Sequence, residues 1–193
     1  ARQGRRLRAI DAHDIICKVG ECVVAGGVRR TAMISLSDLD DVEMRDAKKG
    51  QFYMTDPHRS IANNSAVYEA QPTNTELMDE WVALMKSGSG ERGIFNRGSL
   101  AVTMPKRRVE YFKKLGFISE DGVAQGSIGT NACAEIILQS KQFCNLSEVI
   151  ARAHDTEASL LRKARLAAIL GTYQSTLTKF GYISKEWTDN CSA

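Results

Sequence analysis

The order of hydrophobic and polar positions along the chain predicts helices that alternate with short β-strands. Apolar or alternating runs indicate strands at Met33–Leu36, Ser65–Glu69, Gly93–Phe95 and Glu135–Leu138. Helical spacing, or acidic starts with basic ends, indicates helices at Ile15–Val23, Asp38–Lys49, Pro105–Leu115 and Glu157–Phe180, with another beginning near Thr75. Alternation of this kind is typical of an α/β fold.

Two of these helices have a predicted apolar face. In the first helix, that face is formed by Ile15, Ile16, Val19, Cys22 and Val23, and the helix is expected to end at Gly26–Gly27. In the later helix, Thr75 is expected to be the N-cap, because its hydroxyl can accept a hydrogen bond from the first turn. The shared face of that helix is expected to comprise Leu77, Trp81, Leu84 and Met85.

Composition and charge narrow the class of protein. The 193 residues are 43% hydrophobic with a formal net charge of +3, which fits a globular domain and neither requires nor excludes a polyanionic partner. No apolar stretch approaches the roughly 20 residues of a membrane helix, and no signal peptide follows the basic opening Arg2–Arg8. We therefore expect a cytoplasmic protein with neither membrane nor nucleic acid as a partner, and interpret the opening as a solvated arm.

The five cysteines do not form a disulfide framework, because their number is odd. No Cys-x-x-Cys pair or His–Cys cluster is present, so no metal site is expected. Cys17 and Cys22 lie on or beside the apolar face of the first helix and are expected to belong to the core.

The spacing of Asn131, Cys133 and Glu135 suggests a reactive site. In an extended stretch, alternate side chains point to one side, so an amide, a thiol and a carboxylate would converge there. A carboxylate can act as a general base, and an amide can hold a substrate hydroxyl. Cys144, further along the chain, could be a second thiol. On spacing alone, a buried cysteine with an incidental exposed glutamate is the favoured interpretation of Cys133 and Glu135, and a small buried hydrophobic residue is the favoured interpretation of Cys144.

Five blocks of sequence, in the same order, resemble ribonucleotide reductases. They are Gly26–Arg30, Ala62–Val67, Ser89–Arg97, Gly129–Leu138 with its continuation Gln142–Val149, and Leu170–Ser175. The resemblance implies a ten-stranded α/β barrel with a radical cysteine on an internal finger loop. Residues 1–193 would then be part of a single catalytic barrel domain, with flanking parts of the barrel missing at both ends.

The resemblance also implies roles for individual residues. Cys133 matches the thiyl-radical cysteine that removes the 3′-hydrogen of the ribose. Glu135 matches the base on the 3′-hydroxyl, and Asn131 the amide that holds the sugar hydroxyls. Cys144 matches one of two thiols that become a disulfide as the 2′-hydroxyl leaves as water.

The chain departs from the family pattern beside the radical cysteine. The family usually has Pro at the position of Ala132 and Gly at the position of Ala134. Both replacements are small, so the loop should be retained. The backbone path at its tip is in question, however, because Gly permits dihedral angles that Ala avoids.

The segment from Gly26 to Ala32 resembles the loop through which deoxynucleotide effectors select the base to be reduced. Gly26 and Gly27 would give it mobility, and Arg29 or Arg30 could bind a base or phosphate. A helix C-cap followed by surface arginines is the alternative interpretation.

The amino-acid sequences of the blocks are most similar to those of adenosylcobalamin-dependent reductases of ribonucleoside triphosphates. This resemblance implies adenosylcobalamin as cofactor, bound mainly outside this segment, and a thioredoxin-type reductant. One alternative is the large subunit of a reductase whose radical comes from a separate metal-containing subunit. A second, from another class, is a non-catalytic nucleotide- or nucleic-acid-binding module, which would have no need of Cys133, Glu135 and Cys144.

Overall fold

A three-stranded parallel sheet flanked by helices forms the centre of the fold. The computed structural model describes residues 4, 6–25, 28–29 and 31–191. The predicted α/β class is confirmed, as a mixed α/β arrangement with a small parallel sheet.

The helices and strands occur in this order: α1 Ala9–Glu21, β1 Val24–Ala25, β2 Val28–Arg29, β3 Met33–Ser37, α2 Val42–Arg45, α3 Phe52–Thr55, a 3-10 helix Pro57–Ile61, β4 Ala62–Tyr68, α4 Asn74–Ser87, β5 Gly93–Asn96, a 3-10 helix Arg97–Ser99, α5 Leu100–Thr103, α6 Lys106–Lys114, β6 Gly129–Thr130, β7 Ile137–Leu138, α7 Glu157–Ser175 and α8 Lys185–Cys191.

The strands predicted around β3, β4 and β5 are confirmed, and so are the helices predicted around α6 and α7. The helix predicted over Asp38–Lys49 is wrong in extent, because only α2 is helical there. The chain turns after α2 and brings the buried Lys48 ammonium within 2.9 Å of a Glu91 carboxylate oxygen. A straight helix through Lys49 would not make that turn.

The register of the sheet assigns each residue of β4 to one of two faces. β3 pairs with β4 so that Leu36 lies opposite Ser65, and β4 pairs with β5 so that Val67 lies opposite Phe95. Leu36, Val67 and Phe95 therefore share one face. The main core cluster packs against that face and comprises Val67, Phe95, Leu100, Phe112, Ile118, Ala124 and Ile128.

Helix α1 packs against the opposite face of the sheet. The Nε2 atom of His13 lies 3.3 Å from the Oδ1 atom of Asn64, and the Cys17 thiol lies 3.8 Å from the sulfur of Met33. The same helix approaches the end of the 3-10 helix Pro57–Ile61 closely because Gly20 has no side chain. A Cβ at Gly20 would lie 2.2 Å from Cδ1 of Ile61.

The predicted buried face of α1 is therefore wrong. Its buried residues are Ile10, His13, Cys17 and Gly20, whereas Ile15, Ile16 and Val19 are each more than half exposed. The expectation that Cys17 belongs to the core is confirmed, but Cys22 is exposed. A polar partner, Asn64, draws His13 inward, and apolar spacing alone does not reveal that contact.

The N-cap of helix α4 lies two residues before the predicted one. Thr73, not Thr75, is the N-cap, because Glu76 lies three residues after it and the two side chains complete a capping box. Gly88 follows the helix with a left-handed φ of 69°. Trp81 and Met85 from the predicted apolar face are exposed, whereas the carboxylate of Glu80 is buried.

Glu80 is buried because it pairs with Arg92, the residue immediately before β5. The guanidinium donates from Nε and Nη2 to the two carboxylate oxygens at 2.8 and 3.1 Å. Nη1 also donates to the Ser37 hydroxyl at 2.6 Å, and Nη2 to the Asp38 carbonyl at 3.3 Å. One side chain thus joins α4, the start of β5 and the end of β3.

The chain divides into two compact units, residues 1–137 and 138–193. The sheet belongs to the first unit. The second unit contains α7 and α8, and Thr156 caps α7 by accepting a hydrogen bond from the Ser159 backbone. Across the described residues, no helix has the length and apolar composition required to cross a membrane.

The Glu80–Arg92 pair generates a stability prediction. Glu80→Gln should lower the free energy of unfolding by about 3 kcal/mol, because it leaves a buried guanidinium without its counter-charge. The measurement is urea denaturation followed by Trp81 fluorescence, with Trp187→Phe as background to remove the second tryptophan.

Asp79→Asn, the same chemical change at an exposed residue of α4, is the matched control and should shift the transition by less than about 0.5 kcal/mol. Equal losses for the two variants would contradict a stabilising role for the buried pair.

Candidate active site

The predicted reactive cysteine lies in a tight turn between two short paired strands, β6 and β7. The side-chain oxygen of Asn131 accepts a hydrogen bond from the Ile136 backbone at 3.0 Å, and the Asn131 backbone donates to the Ile136 carbonyl at 3.1 Å. The Ala134 backbone donates to the Asn131 carbonyl at 3.0 Å. Asn131 therefore closes the turn at both of its ends.

This geometry corrects the extended conformation assumed for residues 131–135. Residues 132–134 form a turn or bend, and the predicted strand over Glu135–Leu138 is reduced to β7. Strict alternation of side chains holds only in extended backbone, so it no longer supports convergence of the three groups. Asn131, Cys133 and Glu135 are nevertheless brought together on one turn, where Cys133 and Glu135 are exposed.

Ala134 has a left-handed backbone conformation, with a φ of 65°. Its Cβ makes this conformation unfavourable by roughly 1–2 kcal/mol relative to the usual regions. This is the position at which the sequence resemblance placed a glycine, so the turn retains the dihedral angle that glycine would favour. The hydrogen bonds between Asn131 and the backbones of Ala134 and Ile136 fix the path of the chain and hold Ala134 in this conformation.

A side chain from the central sheet also holds the turn. Asn63, on β4, donates from Nδ2 to the carbonyl oxygen of Ala132 at 2.7 Å. The adjacent Asn64 contacts His13 of α1. Consecutive residues of a strand point to opposite faces, so the cysteine turn lies on the face opposite to α1.

Cys144 lies in the second unit, within an irregular segment before α7. Neighbouring residues join that segment to the rest of the unit. Phe143 packs edge-to-face on Phe180 with ring centroids 5.0 Å apart, and Asn145 Nδ2 donates to the Gly171 carbonyl at 2.5 Å. Cys144 is half-buried.

Much of the predicted effector loop is outside the described residues, namely Gly26, Gly27 and Arg30. Arg29 is described only through its backbone, which pairs antiparallel with Val24.

Sequence reasoning missed a polar cluster between α1 and the 3-10 helix Pro57–Ile61. Arg59 donates from Nε and Nη2 to the two oxygens of Asp14, both at 2.7 Å. His58 Nε2 lies 3.0 Å from the same carboxylate. The hydrogen bond from Arg59, reinforced by His58, lowers the pKa of Asp14 to about 2. Only the resulting fold brings these residues together, so no local sequence pattern identifies them.

This cluster includes a possible set of metal ligands. One ligand-type atom from each of Asp14, Asp56 and His58 lies within 4.8 Å of the others. The Arg59 guanidinium, however, already binds Asp14 and lies 3.6 Å from an Asp56 oxygen. It supplies the positive charge that a cation would otherwise provide, so we interpret the cluster as a structural ion-pair network.

Comparison with known proteins identifies relatives for most of the chain. An adenosylcobalamin-dependent ribonucleoside-triphosphate reductase of Lacticaseibacillus paracasei is 35% identical over 154 residues, which cover 77% of this chain and 18% of the relative. Proteins of the same name from Lactobacillus acidophilus and Lactobacillus helveticus are 30% and 28% identical over 85% and 94% of this chain, and 20% and 22% of their own lengths. The chain belongs to the ribonucleotide reductase family. It spans about a fifth of the length of these relatives. No family model and no solved structure matches it.

The left-handed backbone of Ala134 generates a stability prediction. Ala134→Gly should raise the free energy of unfolding by about 1 kcal/mol, because glycine removes the Cβ strain and loses only part of that gain as chain entropy. The measurement is the same denaturation followed by Trp81 fluorescence.

Ala132→Gly is the matched control: the same substitution two residues earlier, where φ is not positive. It should lower stability by about 0.5–1 kcal/mol through added flexibility of the unfolded chain. Destabilisation by both variants would show that the left-handed residue is not strained.

Proposed function

We propose that this chain forms part of the catalytic barrel of an adenosylcobalamin-dependent ribonucleoside-triphosphate reductase, with the turn that contains Cys133 as the finger loop. The observation that carries the proposal is the turn itself: Asn131, Cys133 and Glu135 share it, within a chain 35% identical to a reductase of that name. The names of the relatives favour this cofactor type over a reductase with a separate metal-containing subunit.

The sheet supports a position within a barrel. Its three strands are parallel, and further strands could pair with the outer edges of β3 and β5. Helix α1 packs on one face of the sheet, and the cysteine turn contacts the other through Asn63. Helices lie on both faces, because Phe112 of α6 belongs to the core cluster on the second face. We infer from the position of the cysteine turn, beside Asn63 near the start of β4, that this part of the second face is the interior of the barrel. The whole of residues 1–193 would contribute to that one catalytic domain.

Cys133 is the proposed hydrogen-atom abstractor, and its exposed thiol fits this role because both the radical source and the ribose must reach it. Adenosylcobalamin, held mainly by other parts of the enzyme, would supply by homolysis of its cobalt–carbon bond a carbon radical that accepts the hydrogen atom of the Cys133 thiol. The Cys133 thiyl radical then takes the 3′-hydrogen atom of the ribose, re-forming the S–H bond.

Glu135 is the proposed base on the 3′-hydroxyl. Its carboxylate is exposed on the same turn and can accept that proton. Removal of the proton helps to expel the 2′-hydroxyl, which leaves as water after it is protonated. The Asn131 side-chain oxygen is already bound to the Ile136 backbone, so its Nδ2 is oriented to donate to a sugar hydroxyl.

Reduction at the 2′-carbon needs two electrons, which two thiols provide as they form a disulfide. Cys144 is the proposed first thiol, and the second would come from another part of the enzyme. The 3′-hydrogen atom then returns from Cys133 to the product. A thioredoxin-type reductant would regenerate the two thiols.

A deoxynucleotide effector would bind near Gly26, Gly27, Arg29 and Arg30 and select the base.

The direct test is Cys133→Ser in a complete reductase that contains this sequence. Deoxynucleotide formation should fall by more than about a thousandfold while nucleotide binding remains intact, because the stronger O–H bond of serine resists oxidation by the same radical source. Cys22→Ser, at another exposed cysteine, is the matched control and should retain activity. Turnover within tenfold of wild type for Cys133→Ser would rule out the assignment.

Cys144→Ser gives a separate prediction in the same enzyme. Without the reducing thiol, the substrate radical should decay with release of free base instead of forming deoxynucleotide. Base release and deoxynucleotide yield are measured together by chromatography, with Cys191→Ser as the control in the same unit. A normal yield of deoxynucleotide from Cys144→Ser would show that the reducing thiol is elsewhere.

A further inference from the structure

We propose that Asn63 is a positioning residue for Cys133, an inference that rests on the proposed function. Asn63 lies on β4 and donates its side-chain amide to the carbonyl of Ala132, the residue directly before the cysteine, at 2.7 Å. It need not touch the substrate. Its role is to fix the backbone from which the Cys133 side chain extends.

The internal bonds of the turn hold its shape but not its place on the sheet. These bonds run between Asn131 and the backbones of Ala134 and Ile136. Within the described part of the chain, Asn63 provides the one side-chain hydrogen bond to residues 132–135 from outside the turn. A turn closed only on itself could pivot about β6 and β7, and the bond to Ala132 opposes that motion.

The chemistry of asparagine suits this position. A main-chain carbonyl is a hydrogen-bond acceptor, so the tether requires a donor. Aspartate has nearly the same shape, but its ionised carboxylate has no hydrogen to donate and would repel the carbonyl oxygen. Asn64, the neighbouring amide, cannot replace Asn63, because it points to the opposite face and contacts His13.

Hydrogen exchange in the complete reductase tests the tether without any turnover. In Asn63→Ala and Asn63→Asp, the peptide from Gly129 to Leu138 should exchange about two- to tenfold faster, the factor that a net hydrogen bond provides. Asn63→Gln retains a donor and should restore part of the protection. Asn74→Ala is the matched control, because Asn74 is exposed and makes no side-chain hydrogen bond to a described residue. It should leave that peptide unchanged.

The kinetic arm distinguishes positioning from general structural support. In Asn63→Ala, kcat should fall by roughly 10- to 100-fold, the cost of misplacing a reacting group, while KM stays within about twofold. Asn63→Gln should recover part of kcat. Far-UV circular dichroism verifies that each variant retains its secondary structure.

Unchanged exchange in both Asn63→Ala and Asn63→Asp would overturn the tether. Faster exchange with full kcat, or a rise in KM alone, would overturn the positioning role. These outcomes are separate from failure of the proposed function, which would appear as retained turnover in Cys133→Ser.

Discussion

The buried ion pair between Arg92 and Glu80 is the constraint on which the arrangement of the sheet depends. A guanidinium inside a protein must have its donors satisfied and its charge balanced. Here the donors reach α4, the Ser37 hydroxyl and the Asp38 carbonyl. Those partners surround the end of β3 and the start of β5, on either side of β4. The side chain therefore fixes the spacing of three elements that are far apart in sequence, and β4 lies between them with its register defined.

The alternation of side chains along β4 places contacts with α1 on one face of the sheet and contacts with the cysteine turn on the other. Asn64 faces α1, where it contacts the buried His13, beside the half-buried ion pair of Asp14 and Arg59. Asn63 faces the cysteine turn, whose thiol and carboxylate are exposed. The two amides are adjacent and chemically identical, yet Asn64 contacts the helix and Asn63 contacts the cysteine turn. Strand register alone decides this difference.

Local patterns predicted the strands β3, β4 and β5 well, because apolar runs and strand residues coincide there. They failed where a polar side chain turns inward: His13 reverses the face of α1, Lys48 bends the chain after α2, and Glu80 replaces Trp81 as the buried residue of α4. Each of these residues is buried because of a partner distant in sequence. For the candidate site, Asn131, Cys133 and Glu135 were predicted from spacing and resemblance, whereas the turn that joins them depends on hydrogen bonds that spacing does not reveal.

The bond from Asn63 to the turn ends on a main-chain carbonyl, and this has an evolutionary consequence. Every amino acid carries that oxygen, so the identity of residue 132 can drift without loss of the contact. The Ala132 N–H donates to no described residue, so a proline at this position would lose no hydrogen bond there. The departure from the family at this residue is therefore neutral for the tether. Natural selection would act on the amide at residue 63 and leave its acceptor unconstrained.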